Sequence, residues 1–154
     1  MRPVRLALAA LLGLSVTTAC QGGPGVTPGR QYSCCADRAP ETAYRTGDTV
    51  TLRWTVRTIG TPSGPPQVEL NARLVGPYPD VSALKAAPDT REATGDVTVA
   101  APPVRPTGAA GEEPTSVLQI PADAGPGYYS LVWSADEPGG SFSAAGIVQV
   151  VAGS

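Results

Sequence analysis

The sequence predicts an all-β chain built as an antiparallel β-sandwich with one short surface helix, on three observations. Several segments alternate strictly between apolar and polar residues, the period of strands that bury one face. Glycine and proline, 18 and 17 of 154 residues, gather in the stretches between those segments, where a turn-rich β protein needs them. A single segment, residues 80–87, combines a capping residue with a run of good helix formers.

The chain opens with Arg2 and Arg5 ahead of an uninterrupted apolar run from Leu6 to Val16, the make-up of a signal peptide. A membrane-spanning helix needs about 20 apolar residues, and this run ends at Thr17 and gives way to glycines and a proline. Thr17-Thr18-Ala19-Cys20 resembles the lipobox of bacterial lipoproteins, departing from it at Thr17, where the family usually carries Leu. The resemblance implies cleavage before Cys20, a diacylglyceryl group on its sulfur, and a protein held on the extracytoplasmic face of the cell membrane. Two acyl chains suffice for stable anchoring. Gln21 to Arg30 is rich in Gly and Pro and lacks periodicity, as flexible tethers do. The expected organisation is therefore a signal peptide over 1–19, a lipidated flexible tether over 20–40 and one folded domain over 41–154.

Within that domain, Thr49 to Arg57 places Val50, Leu52, Trp54 and Val56 on one face. Gln67 to Leu74 repeats the pattern with Val68, Leu70, Ala72 and Leu74, and the two strands are expected to pair as an antiparallel hairpin. Asp80 caps the short helix that ends at Ala87. A short strand is expected at Asp96 to Ala100, then an exposed, mobile loop from Pro102 to Pro114. Alternation resumes at Thr115 to Ile120. Tyr128 to Ala135 follows, with Tyr129, Leu131 and Trp133 inward, and Ser141 to Val151 closes the domain after a turn at Gly139-Gly140. Phe142, Ala144, Val148 and Val150 share a side of that last strand.

Ile120 to Trp133, IPADAGPGYYSLVW, resembles the penultimate-strand signature of bacterial immunoglobulin-like and fibronectin-III-like modules. The resemblance covers about a tenth of the chain and implies an immunoglobulin-like sandwich in which Tyr129 hydrogen-bonds back across a corner, a stabilising role. Lipobox, tether and single domain together resemble the small lipoproteins of actinobacteria. The dominance of Arg over Lys and the abundance of Ala, Gly, Pro and Val fit a G+C-rich coding bias.

Charge argues against a nucleic-acid partner. Loss of Arg2 and Arg5 takes the formal −2 to roughly −4, with the remaining arginines scattered. Histidine is absent, and no Gly-x-Ser-x-Gly elbow, phosphate loop or Cys-His pair occurs, so no catalytic residue, metal ligand set or cofactor is assigned. Cys34 and Cys35 are the unusual feature, because thiols on an oxidising exterior normally find partners. Three readings stay open: one buried and one exposed or intermolecularly bridged cysteine, a vicinal disulfide clip, or a thiol site for redox or metal chemistry. Trp54 and Trp133 read as core residues packed across the sheets. Tyr32, Tyr44, Tyr78 and Tyr128 fall at loop or outward positions, where aromatic rings can form a contact surface. Glu112-Glu113 and Asp136-Glu137 read as solvated loop charge. The expectation is a lipid-anchored, non-enzymatic binding module for an envelope protein or glycan. The alternative is a redox or metal-handling protein using Cys34 and Cys35.

Overall fold

The computed structural model describes residues 28–35, 43–87 and 95–153. The signal peptide, the lipobox with Cys20 and residues 21–27 of the expected tether lie outside the described residues. In chain order the elements are β1 (Gly29–Cys34), β2 (Ala43–Arg45), β3 (Thr49–Ile59), β4 (Glu69–Tyr78), α1 (Val81–Ala86), β5 (Val97–Ala100), β6 (Thr115–Gln119), β7 (Gly127–Glu137) and β8 (Gly140–Val151). They form two sheets, ordered β1-β3-β6 and β2-β8-β7-β4-β5. The protein is an all-β sandwich with one short helix among the described residues.

Period-2 alternation becomes a core directly. Val50 and Leu52 of β3 and Leu118 of β6 meet Ala72 and Leu74 of β4, Tyr129 and Leu131 of β7, and Val148 and Val150 of β8 in one cluster. Thr49, Thr51 and Arg53 alternate with them in solvent. Each buried Val or Leu side chain contributes about 1.5–3 kcal/mol relative to its exposed state. A second, smaller cluster of Tyr32, Trp54, Val68, Leu70 and Ala135 fills one end of the sandwich. Trp133 packs against both.

The expected β3–β4 hairpin does not form. β3 pairs with β1 and β6, whereas β4 pairs with β5 and β7 in the opposite sheet. The 60–68 connection explains the difference: packed sheets lie about 10 Å apart, and a chain that advances about 3.3 Å per residue crosses that gap easily. Alternation decides which face is buried and is silent about the partner.

Residues 29–34, expected in the tether, form β1. It lies antiparallel to β3 with Tyr32 opposite Val56 and Cys34 opposite Trp54. Its alternation is limited to a few residues between Gly- and Pro-rich flanks, so the ladder offered by β3 is what makes it a strand. β2 runs parallel to the end of β8, Ala43 opposite Gln149 and Arg45 opposite Val151, the single parallel pairing among the described strands. The chain thus contributes first to one sheet and then to the other before β3 begins.

Local chemistry holds the remaining elements. The Asp80 carboxylate accepts from the Ala83 backbone N–H at 2.8 Å, the capping contact expected of that residue, and α1 packs on β4 and β7. The Tyr129 hydroxyl donates to the Gly125 carbonyl at 2.7 Å, closing the corner that leads into β7. Its ring leaves no room on the neighbouring strand: a Cβ on Gly76 would stand 2.6 Å from Tyr129 Cδ1. Gly127, at φ +153°, is held to glycine both by its backbone and by Pro77, whose Cβ lies 2.9 Å from where its own Cβ would be.

The expected loop of 102–114 is tied down along its length. Val104 forms a two-bond bridge with Leu70, Pro106 and Pro114 are buried, and the Pro114 carbonyl accepts from the Trp54 N–H at 2.9 Å. Glu112 folds back to accept from the backbone N–H groups of Thr107 at 2.9 Å and Gly108 at 2.8 Å. These bonds hold the Glu112 carboxyl below its ordinary pKa, the Thr107 N–H foremost. Composition signalled a loop correctly, but the anchoring partners are remote in sequence.

Candidate binding cavity at one end of the sandwich

β1 belongs to one sheet and the β7–β8 hairpin to the other. Between them, at the end filled by the smaller cluster, opens a cavity of about 710 Å³. The hairpin turns tightly through Pro138 and Gly139, with Glu137 opposite Gly140, the turn expected from the glycine pair. Its lining includes Arg30 and Tyr32 from β1, Ile59 from the end of β3, Glu137 and Phe142.

Two side chains set the character of this cavity. Tyr32 is 7% exposed, and its hydroxyl is buried with no hydrogen-bond partner among the described residues. A buried hydroxyl without a partner costs about 1–3 kcal/mol, and native structures rarely leave one unexplained. Burial pushes the phenol pKa up; Arg30 opposes that shift, while Glu112 and Glu137 add to it. Phe142 lies opposite Ala135, on the inward-facing side of β8, as the alternation required. It nevertheless remains 54% exposed, because it stands at the cavity mouth where the opposing sheet no longer covers it.

Arg30 and Glu137 are both part of the lining, but the Arg30 guanidinium itself lies beside Gly64 and Gly108, which are not. One Arg30 N–H is engaged by the Gly64 carbonyl at 3.3 Å, which steadies the guanidinium across the β3–β4 connection. The neighbouring Gly139 and Gly140 have open space where a Cβ would stand, so the backbone of the turn is accessible.

A second concavity, about 510 Å³, lies on the outer face of the five-stranded sheet, beside Arg73 and Val132. There Asp136 accepts from Asn71 Nδ2 and from Ser134 Oγ, both at 2.9 Å. Its polar groups therefore satisfy one another, whereas the Tyr32 hydroxyl is left without a partner. The end cavity, the larger of the two and lined by the exposed ring of Phe142, is the stronger candidate.

The other singled-out residues fall elsewhere. Cys34 and Cys35 end β1 with their sulfurs joined, Cα atoms 3.7 Å apart, and Cys35 turns out of the strand at φ +76°. Both pack against the main core cluster, and the Cys35 N–H donates to the Arg53 carbonyl at 3.1 Å. Trp54 is buried, its indole N–H donating to Ser116 Oγ at 3.0 Å, a core role; Trp133 is half-buried. Glu113 lies 3.9 Å from Arg53 in solvent. Asp136 belongs to the outer-face network and only Glu137 of that pair reaches the cavity. Among the described residues no three His, Cys, Asp or Glu side chains gather as a metal site.

Sequence reasoning misplaced Tyr32, the residue that most defines the cavity, among loop or outward aromatics. The available signal was the short alternation Gln31-Tyr32-Ser33, with polar residues on either side of one aromatic, and it was outweighed by the tether composition around it. Tyr44, Tyr78 and Tyr128 are half-buried, Tyr78 opposite Tyr128 across β4 and β7. No protein-family model matches the sequence, and no curated protein matches it either.

Proposed function

We propose that this chain is a lipoprotein of the cell envelope, anchored through Cys20 on the extracytoplasmic face of the membrane, whose sandwich is an immunoglobulin-like binding module for an envelope protein or glycan. The apolar leader and the Thr17-Thr18-Ala19-Cys20 box support the location. The strand order supports the family reading. β3 and β6 share one sheet and β8, β7 and β4 the other, the distribution of strands B and E against G, F and C in immunoglobulin domains. The Tyr129 corner contact accompanies it.

The observation that carries binding is the end cavity of about 710 Å³, whose lining includes the exposed ring of Phe142. A large apolar side chain exposed in a concavity marks a surface that an occupant covers. A photo-crosslinking residue at position 142, in protein displayed on its own membrane, is expected to capture an envelope component, with unlabelled protein competing. The control is position 117, since Val117 is also exposed, at 48%, but lies on β6, away from the cavity. Equal capture at both positions, or none, refutes the binding reading. Cys20→Ala is expected to release the protein from the membrane fraction; retention refutes the anchor.

The joined sulfurs of Cys34 and Cys35 favour a disulfide at the end of β1 over free thiols or a thiolate metal site, since a disulfide offers no thiolate to a metal. Alkylation of the native protein with and without a reductant separates the two. Uptake without reductant supports free thiols, uptake only after reduction under native conditions supports a reducible disulfide open to redox chemistry, and no uptake even then supports an inert structural clip.

A further inference from the structure

We infer that Cys34 and Cys35 form a reversible redox latch: joined, they hold the turn by which the chain leaves β1, and reduced by an external dithiol they release it. Three observations meet at this pair. The first is backbone conformation. Cys35 sits at φ +76°, and every other described residue at positive φ is a glycine. A residue with a Cβ avoids that region, so something must hold Cys35 there. Its bond to Cys34 closes a ring through the peptide that joins them and restricts rotation away from it.

The second is what the turn sustains. In this conformation the Cys35 N–H donates to the Arg53 carbonyl at 3.1 Å, one rung beyond the β1–β3 register that ends with Cys34 opposite Trp54. From there the chain crosses to the opposite sheet, where β2 lies along β8. The third is packing. Both cysteines lie against the main core cluster, and Cys34 touches the smaller one as well, yet both are half-buried rather than sealed. Once their bond breaks, the two sulfurs separate to non-bonded contact. A close-packed interior yields little, so the separation is taken up on the open side, by Cys35 leaving its left-handed conformation and its rung.

The exchange balances as a transfer of two electrons and two protons from the dithiol. One donor thiolate attacks a cysteine sulfur, the Cys34–Cys35 bond breaks, and the other cysteine leaves as a thiolate that takes up a proton. The donor's second thiolate then displaces the attached cysteine, which is protonated in turn, and the donor is left as a disulfide. An external disulfide reverses both steps. β1 also supplies Arg30, Tyr32 and Ser33 to the end cavity, so the latch acts on a strand that walls the candidate site. The inference stands whatever that cavity binds.

The test is amide hydrogen exchange, read by NMR on the full-chain protein in detergent: as purified, with dithiothreitol, and with oxidised glutathione after the dithiol is removed. Alkylation mapped to Cys34 and Cys35 follows the thiols in parallel. On reduction the position 35 amide is expected to exchange about tenfold faster or more, the value of one lost hydrogen bond, while amides of β7 and β8 change by less than about twofold. Reoxidation restores the slow rate. In a Cys34→Ser background, Cys35→Gly accepts the left-handed conformation without a disulfide and is expected to exchange near the oxidised rate, whereas Cys35→Ser exchanges near the reduced one. The inference is overturned if the cysteines are alkylated without reductant, or if their bond resists dithiothreitol in the folded protein. It is equally overturned if reduction leaves the position 35 amide unchanged, if reduction speeds exchange throughout β3, β7 and β8, if reoxidation fails to restore the slow rate, or if Cys35→Gly and Cys35→Ser exchange alike.

Discussion

Ser116 is 1% exposed and its hydroxyl accepts the indole N–H of Trp54, itself 2% exposed. Ser116→Ala removes the acceptor and leaves that N–H buried without a partner, while changing almost no volume. The expected loss is about 1–3 kcal/mol, the cost of an orphaned donor rather than of an average hydrogen bond. With a urea slope near 2 kcal/mol/M, typical of small domains, the unfolding midpoint falls by about 0.5–1.5 M. In a Trp54→Phe background there is no N–H to orphan, so the same serine substitution is expected to change stability by less than about 0.5 kcal/mol. Trp54→Phe alone is destabilising, because it opens space in the smaller cluster and strands the serine hydroxyl. Urea melts of the four proteins, followed by far-UV circular dichroism because one variant lacks a tryptophan, complete the cycle. Equal costs of Ser116→Ala in both backgrounds would refute the hydrogen bond as the source of stability.

Gly76→Ala is expected to destabilise more than Tyr129→Phe. The alanine drives a Cβ to 2.6 Å from the Tyr129 ring, overpacking of about 1–3 kcal/mol or more, whereas the phenylalanine loses only the corner bond to Gly125, about 0.5–1.5 kcal/mol; thermal melts rank them. Glu112 has a lowered carboxyl pKa in the folded chain, so its support of the loop is present above the unfolded value and is lost as pH falls through the folded one. Amide exchange at Thr107 and Gly108 is expected to accelerate on acidification, and Glu112→Gln to weaken that pH dependence. Burial raises the phenol pKa of Tyr32 and Tyr129, so two of the five tyrosines are expected to ionise above the ordinary range in an ultraviolet titration. Their contribution to stability is complete below the unfolded pKa and lost as pH rises through the folded one. Ionisation of Tyr32 and Tyr129 at the ordinary value would contradict their burial.

Strand faces were legible in the sequence because they are a local property. β3, β4, β6, β7 and β8 each carry several turns of period-2 alternation, and the residues it points inward, Leu52, Leu74, Leu118, Leu131 and Val148 among them, are fully buried. The α1 cap at Asp80 and the Tyr129 corner were likewise within reach, since each depends on neighbours a few residues away. The expectation of a leader and a lipid-bearing Cys20 also comes from sequence alone, because a processing enzyme reads a linear motif.

Tertiary structure decided what depends on residues far apart. It sent β3 and β4 to opposite sheets, recruited residues 29–34 as a strand along β3, and pinned the 102–114 loop through Leu70 and Trp54. It also created the cavity, by setting Tyr32 of one sheet beside Phe142 of the other. Alternation states which side of a strand avoids water. Which strand lies alongside, and which buried hydroxyl is left without a partner, follow only from the sum of long-range contacts.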